Sequence, residues 1–208
     1  MQIYKYRYFD EYTKSILKTE EFFFANWEDM NDPMEGFFEY YDQEHTADTI
    51  QALKDAKNAY GICCLSKESN NILLWSHYAD NHKGICIEID IDDSICTNQG
   101  ITFEDIKYKS NIPNLIESSN QTDKAKWLLS RKTILWNYEK EIRAFCKGSK
   151  TLHKIGTISK VFIGLRCSEE IKNELKSLCD TNNYKYQEVE IDFDNNLIRE
   201  RKDNNDKS

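Results

Sequence analysis

The stretch Tyr138-Glu139-Lys140-Glu141-Ile142-Arg143-Ala144-Phe145-Cys146 runs from charged residues into an apolar segment, and Glu141 to Cys146 is predicted to be a strand. Side chains alternate between the two faces of a strand, so Glu139, Glu141 and Arg143 are expected on one face. The two carboxylates would then lie roughly 7 Å apart. One could bind a substrate hydroxyl while the other activates a nucleophile, with Arg143 holding a carboxylate ionised. The alternative is a solvated face with ordinary Glu–Arg pairing.

Short strands and helices alternate on both sides of this stretch. Further strands are predicted at residues 2–8, 22–25, 61–66, 84–90, 103–107, 158–165 and 184–191. Helices are predicted at residues 10–18, 46–58, 71–79, 122–131 and 168–179, and a loop at 92–102. This mixture indicates an α+β fold: one compact domain over residues 1–195, with a mixed or antiparallel sheet and short flanking helices. Residues 196–208 are charged and rich in Asn, which predicts a frayed tail.

The overall composition limits the class of function. The chain has 208 residues, a net charge of −8 and only two prolines, which fits one ordinary domain. An acidic balance disfavours coating of a nucleic-acid backbone, although it leaves room for an enzyme with a local basic cleft. We find no signal-peptide pattern and no apolar run near the roughly 20 residues that span a bilayer. A cytoplasmic protein without a membrane partner is predicted.

The chain has seven cysteines, an odd number, and no Cys-x-x-Cys pair. Several fall in apolar strand-like runs, where a free cysteine behaves as a small hydrophobic residue. We therefore expect reduced, mostly buried thiols rather than a disulfide framework.

Two further polar clusters could carry chemistry. In Asn31-Asp32-Pro33, followed by Glu35, carboxylates and an amide on a rigid turn could hold a ribose hydroxyl or a metal-bound water. The alternative is an Asx-turn that only reverses the chain. In Trp75-Ser76-His77-Tyr78, on a predicted helix, His77 could be a general acid or base, or purely structural. On the first strand, Lys5 and Arg7 share one face and could seat a phosphate or a ribose edge.

These pieces together resemble a bacterial family catalogued as domain of unknown function twenty-nine seventy-one. The resemblance is carried by Ile3-Tyr4-Lys5-Tyr6-Arg7, Met30-Asn31-Asp32-Pro33-Met34-Glu35, Leu65-Ser66, Leu74-Trp75-Ser76-His77-Tyr78-Ala79, His82-Lys83-Gly84 and Trp136-Asn137-Tyr138-Glu139-Lys140-Glu141-Ile142-Arg143. It covers about the first 145 residues and implies no agreed activity.

The order of a first strand with Tyr-Lys-Tyr-Arg, a strand ending in Ser66 and a late Glu-x-Glu is also similar to ADP-ribosyltransferases. That resemblance implies that Arg7 or Lys5 contacts the cofactor and that Ser66 braces the site. Glu141 would bind the nicotinamide-ribose hydroxyl and stabilise an oxocarbenium-like state, and Glu139 would position the acceptor. The chain departs from the pattern in having Cys64-Leu65-Ser66 instead of Ser-Thr-Ser.

The sequence thus leads to the hypothesis of an enzyme that splits NAD and transfers ADP-ribose to a protein or nucleic acid, as a toxin or antiphage effector with an antitoxin or other partner protein. Its catalytic residues would be Glu141, Glu139 and His77. Its cofactor-binding residues would be Lys5, Arg7, Asn31, Asp32, Ser66, Tyr78 and Arg143.

Two other hypotheses remain open. One is a non-catalytic module that binds a nucleotide or a partner through the same residues. The other is a metal-dependent phosphodiesterase using Asp32, Glu35, His77 and Glu141, for which the sequence offers no compact ligand spacing.

Overall fold

The computed structural model describes residues 1–39, 46–115 and 123–201. The strands of this part of the chain are β1 (Gln2–Arg7), β2 (Glu21–Phe24), β3 (Tyr60–Ser66), β4 (Ile85–Ile91), β5 (Thr102–Asp105), β6 (Lys107–Lys109), β7 (Arg131–Thr133), β8 (Glu141–Lys147), β9 (Thr151–Lys154), β10 (Gly156–Ile163), β11 (Lys185–Asp192) and β12 (Leu197–Glu200). Its α-helices are α1 (Glu11–Thr19), α2 (Ala47–Asn58), α3 (Ile72–Tyr78), α4 (Asp93–Asn98), α5 (Lys124–Leu129) and α6 (Glu169–Asn182).

The described chain separates into two compact units by its internal packing. The first unit contains Met1–Glu21, Leu65–Asp93 and the chain from Lys154 onward, and the second contains Phe22–Cys64 and Ser94–His153. Both units combine strands with helices, so the predicted α+β class is confirmed. The extent of a single domain over residues 1–195 stays a prediction.

The first unit is built on a mixed sheet with the strand order β12-β11-β10-β4-β1. All neighbouring strands in this order are antiparallel except β10 and β11, which are parallel. A parallel pair requires a crossover connection, and α6 supplies it. The end of β3 continues the sheet, where Ser66 lies opposite Tyr4. The predicted mixed sheet is confirmed.

Helix starts follow the capping residues in the sequence. The side chains of Asp10, Thr46 and Ser168 accept hydrogen bonds from backbone N–H groups of the first turns of α1, α2 and α6. These bonds satisfy donors that a helix end leaves open. The three predicted helices therefore begin within a residue of the expected positions.

The second unit places α2 and α5 over an apolar core and orders three strands as β3-β8-β5. Its core residues are Ile50, Leu53, Tyr60, Ile62, Leu115, Ala125, Leu128, Leu129 and Phe145. Burying these side chains fixes β8, the strand that carries Glu141 and Arg143.

The structure differs from the sequence predictions in several places. The predicted loop at 92–102 contains α4, a short helix with little apolar periodicity. Residues 197–200, within the predicted tail, form β12, because Ile198 is buried and the backbone pairs with β11; residues 202–208 lie outside the described residues. On the helices α1 and α3, the large side chains of Tyr12 and Ile72 are exposed, whereas Thr13 and Leu74 are buried.

Six of the seven cysteines are buried, as the sequence predicts, and the structure has no disulfide bond between any two of them. No helix within the described ranges combines the length and apolar character needed to cross a bilayer.

Candidate functional site

The second unit contains a buried charged cluster around Arg143, whose side chain is 0% exposed. The guanidinium donates through Nε to Glu141 Oε1 at 2.7 Å and through Nη2 to Glu141 Oε2 at 3.1 Å. Its Nη1 donates to Glu35 Oε1 at 2.6 Å and to the carbonyl oxygen of Leu129 at 2.7 Å. One guanidinium thus joins two carboxylates that are more than one hundred residues apart in sequence, a geometry suited to its fixed fork of donors.

Glu139 reaches this cluster by a route that the sequence did not indicate. The prediction that it shares a strand face with Glu141 is wrong, because Glu139 ends a 3-10 segment, Ile134–Glu139, and Lys140 adopts a left-handed conformation with φ 45°. Both carboxylates nevertheless bind one ammonium group. Lys132 Nζ donates to Glu139 Oε2 at 2.6 Å and to Glu141 Oε2 at 3.3 Å.

Sequence reasoning missed Lys132 altogether. It lies on β7, a three-residue strand without apolar alternation, and nothing in the local pattern marks it as buried. Only the contact with two glutamates identifies its place, and those glutamates follow it by seven and nine residues.

The Asn31-Asp32-Pro33 turn and the residues just after it supply two buried acids, Asp32 and Glu35. Asp32 Oδ1 accepts a hydrogen bond from the backbone N–H of Met34 at 2.9 Å, which is the Asx-turn that the sequence allowed. The N–H of Glu35 also donates to the Asp32 carbonyl at 3.0 Å. This tight turn directs Glu35 toward Arg143, while Asn31 and Pro33 are exposed.

The cluster has more carboxyl groups than cationic groups. Asp32, Glu35, Glu139 and Glu141 are four buried carboxyl groups on this turn and around Arg143, and the buried cations Lys132 and Arg143 form the ion pairs with Glu35, Glu139 and Glu141. Two carboxyl oxygens, Asp32 Oδ2 and Glu35 Oε2, are buried and accept no hydrogen bond from the described residues. A buried acceptor without a donor costs free energy, so both oxygens are suited to receive donors from a ligand.

The pKa values of the two carboxyl groups that bind Arg143 are shifted in opposite directions. Burial raises the pKa of Glu35, and the nearby Arg143 offsets only part of that shift. For Glu141, burial also acts upward, but the charges of Arg143 and Lys132 outweigh it and lower the pKa to about 2. Glu141 therefore stays ionised near neutral pH, whereas Glu35 takes up a proton more readily than an exposed glutamate.

Aromatic residues surround the cluster. Tyr108 Oη accepts a hydrogen bond from the Glu141 N–H at 2.8 Å, where β8 begins. Lys132 Nζ lies 4.7 Å from the Trp136 ring centroid, and the rings of Trp136 and Tyr138 lie 6.0 Å apart. Both rings are half-buried. Half-buried aromatic rings beside carboxylates offer apolar faces to a ligand whose polar groups need the acids.

The predicted residues of the first strand lie in the first unit. Arg7 ends β1, where its Nε donates to Thr13 Oγ1 at 3.2 Å and its Nη2 lies 3.6 Å from Asp10. These contacts tie Arg7 to the start of α1. Lys5 is half-buried on the same strand, and Ser66 is buried, with its Oγ accepting from the N–H of Glu68 at 3.1 Å. Their roles as cofactor ligands stay predictions.

His77 and Tyr78 also belong to the first unit. They end α3, and their rings lie 6.1 Å apart in an edge-on arrangement. His77 is exposed and Tyr78 is half-buried. A catalytic role for His77 stays a prediction as well.

The metal-dependent hypothesis finds no support in the described part of the chain. There, no group of three or more His, Cys, Asp or Glu side chains is placed to hold a metal ion. The cluster around Arg143 holds its carboxylates with a guanidinium and an ammonium group.

Fold and site define an α+β protein with a buried, carboxylate-rich polar cluster. A family model described as Protein of unknown function (DUF2971) matches residues 74–144, about a third of the chain. The match confirms the resemblance predicted from the motifs over these residues, which include Lys132, Glu139, Glu141 and Arg143. No curated protein and no solved structure matches the chain. The resemblance to ADP-ribosyltransferases is therefore not supported by any comparison.

Proposed function

We propose that the Glu35–Arg143–Glu141 cluster cleaves the bond between nicotinamide and ribose in NAD and transfers the ADP-ribosyl group to a nucleophile. The observation that carries this proposal is the pair of carboxylates on one guanidinium with pKa values shifted apart. Such a pair is how an enzyme keeps one carboxylate ionised and makes another available for proton transfer.

The reaction suits a site with surplus negative charge. When the bond between ribose C1′ and the pyridinium nitrogen breaks, its electron pair goes to nicotinamide, which leaves neutral and needs no proton. Positive charge develops on the ribose, and the ionised Glu141 would stabilise it. The nucleophile then bonds to C1′ and gives its proton to Glu35, whose raised pKa makes it the better base.

The two buried carboxyl oxygens without a donor match the hydrogen-bonding groups of this substrate. Ribose hydroxyls are hydrogen-bond donors, and Asp32 Oδ2 and Glu35 Oε2 are buried acceptors without a donor among the described residues. Trp136 and Tyr138 offer ring faces for a base or nicotinamide. The net charge of −8 favours a protein acceptor over a nucleic acid. A toxin or antiphage setting, with an antitoxin or other protein partner, is part of this proposal.

A second candidate is a module that binds a nucleotide or a partner without consuming it. The observation in its favour is burial: Arg143 is 0% exposed and Glu141 is 5% exposed. In this hypothesis, the cluster stabilises the second unit, and a ligand would contact only the half-buried residues beside it, Trp136 and Tyr138.

Incubation with NAD labelled in the adenylate part separates the two candidates. For the enzyme we expect release of free nicotinamide and transfer of label to protein. Glu141→Gln and Glu35→Gln should each lower the rate roughly 100-fold, in line with the loss of one charge-stabilising or proton-transfer group. Glu188→Gln, in the first unit, is the matched control and should keep the wild-type rate.

Absence of turnover, with no difference between Glu141→Gln and wild type, would rule out the proposed enzymatic function. A thermal-shift measurement with NAD, run on the same samples, then identifies the module: stabilisation without consumption supports it, and no shift argues against both candidates.

A further inference from the structure

Lys57 is a buried cation that the reaction above does not use. It lies on the last turn of α2, and its side chain is 2% exposed. A lysine is almost never fully buried unless its ammonium group has a specific partner. Here the ammonium Nζ donates to the carbonyl oxygen of Gly36 at 2.8 Å, and that residue directly follows Glu35.

Two aromatic rings surround the ammonium group. Lys57 Nζ lies 3.8 Å from the ring centroid of Trp27 and 5.2 Å from that of Phe38, within reach of a cation–π attraction. Trp27 is itself fixed to α2, because its Nε1 donates to Asn58 Oδ1 at 2.7 Å. The ring and the ammonium group are therefore held by the same helix end.

Gly36 has little freedom to move in this cage. Its φ is +65°, and a Cβ atom there would lie 3.2 Å from both Leu129 and Trp27 and 3.4 Å from Lys57 Nζ. The turn from Asp32 to Gly36 is therefore held by two neighbouring residues, Glu35 and Gly36. Arg143 holds the Glu35 carboxylate, and Lys57 holds the Gly36 carbonyl.

We propose that Lys57 is a positioning residue, whose caged ammonium group fixes the Gly36 carbonyl and thereby sets the place of the Glu35 carboxylate on Arg143. Its effect on turnover rests on the proposed function, whereas its effect on the turn does not.

The cost of burying the charge of Lys57 supports a role beyond stability. Burial lowers the pKa of Lys57 to about 8, with Lys54 on the same helix acting in the same direction and Glu28 opposing. An unfolded lysine has a pKa near 10.4. Between these two values the unfolded chain binds more protons, so the free energy of unfolding attributable to Lys57 rises with pH. Near pH 7 its charge costs stability, and a purely structural position would gain from an apolar side chain.

The test compares Lys57→Met with Lys57→Arg and with the control Lys54→Met, an exposed lysine of the same helix. The amide resonances of Gly36 and Phe37 are followed by NMR from pH 6.5 to 9.5. In wild type we expect them to titrate with a midpoint near pH 8. In Lys54→Met the titration should remain, with a higher midpoint, because the charge of Lys54 helps to lower the pKa of Lys57. In Lys57→Met the titration should vanish while the Tm at pH 7 equals or exceeds that of wild type. Lys57→Arg, which keeps the charge, should retain part of the wild-type resonance positions.

NAD turnover is measured on the same proteins. Lys57→Met should lose roughly 10- to 100-fold in kcat, as a displaced catalytic group does, with a smaller change in KM. A flat NMR titration in wild type, or a Lys57→Met protein with unchanged Gly36 and Phe37 resonances, would overturn the positioning role. Titration of these resonances without turnover in any variant would keep it and remove the proposed function instead.

Discussion

Two groups of ion pairs, one in each unit, show how differently the same residue types can act. In the first unit, Glu188 contacts Lys172 and Lys176 at 3.1 Å and Arg201 at 2.8 Å, and Arg201 is about half exposed. In the second unit, Arg143 and Lys132 contact Glu35, Glu139 and Glu141 at similar distances. There, no side chain is more than 6% exposed.

The comparison teaches that solvent, rather than the number of contacts, decides what an ion pair contributes. Water can replace a lost partner of Glu188, so each pair there is worth little. Around Arg143, water is excluded, and a removed partner leaves a charge in a medium of low dielectric constant. The first group has more cations than acids, whereas the second has more acids than cations and a guanidinium that cannot lose its proton.

The largest expected effect comes from removing the shared guanidinium. Arg143→Met leaves Glu35 and Glu141 without their main partner, and we expect the free energy of unfolding to fall by about 3–5 kcal/mol. Arg201→Met, the matched change beside Glu188, should cost about 0–1 kcal/mol. Urea unfolding at pH 7 measures both. Equal losses in the two proteins would erase the contrast between the clusters.

A smaller effect should appear in the acid dependence of stability. Glu141 has a folded pKa of about 2, below its unfolded value near 4.3. Its contribution, on the order of 3 kcal/mol, is complete above pH 4.3 and is lost as the pH falls through 2. Glu141→Gln cannot titrate, so its unfolding free energy should decline less steeply with acid. Urea unfolding from pH 7 to pH 2 measures this difference. If the free energy of unfolding falls equally steeply with acid in Glu141→Gln and in wild type, the low pKa of Glu141 is contradicted.

The smallest effect is expected at Glu35, with the opposite sign. Its folded pKa is raised, so its contribution is complete below about pH 4.3 and is lost as the pH rises through the folded value. Glu35→Gln imitates the protonated form and should leave stability at pH 7 unchanged or raised by about 1 kcal/mol. The same urea series measures this. A loss of several kcal/mol in Glu35→Gln would mean that both carboxylates act alike and that the opposite shifts are wrong.

Much of the fold could be predicted because its signals are local. Asp10, Thr46 and Ser168 mark helix starts through bonds to residues only three positions away. The apolar runs of β3, β4 and β10 mark buried strands in the same way. The wrong predictions concern elements whose structure depends on a partner that is distant in sequence. One example is β12, in which pairing with β11 orders a four-residue segment that lies within a charged, Asn-rich stretch.

The candidate site could be predicted only in fragments. The sequence identified Asp32 with Glu35 and, separately, Glu141 with Arg143, but not that Arg143 joins them. It placed Glu139 on the wrong element, because the left-handed Lys140 breaks the alternation. Lys132 and Lys57 gave no signal, since a lysine in a polar segment is ordinarily exposed. Both are buried here.

The sequence by itself determined where α1, α2 and α6 begin, which turn Asp32 forms and that Glu141 accompanies Arg143 on β8, because each of these depends on neighbours within a few residues. Tertiary structure alone decided which charges lose their water and in which direction the pKa of each carboxyl group is shifted. A pKa in a protein interior depends on burial and on charges brought close by folding, and for Glu35 and Glu141 the shared charge is that of Arg143, more than one hundred residues from Glu35 along the chain.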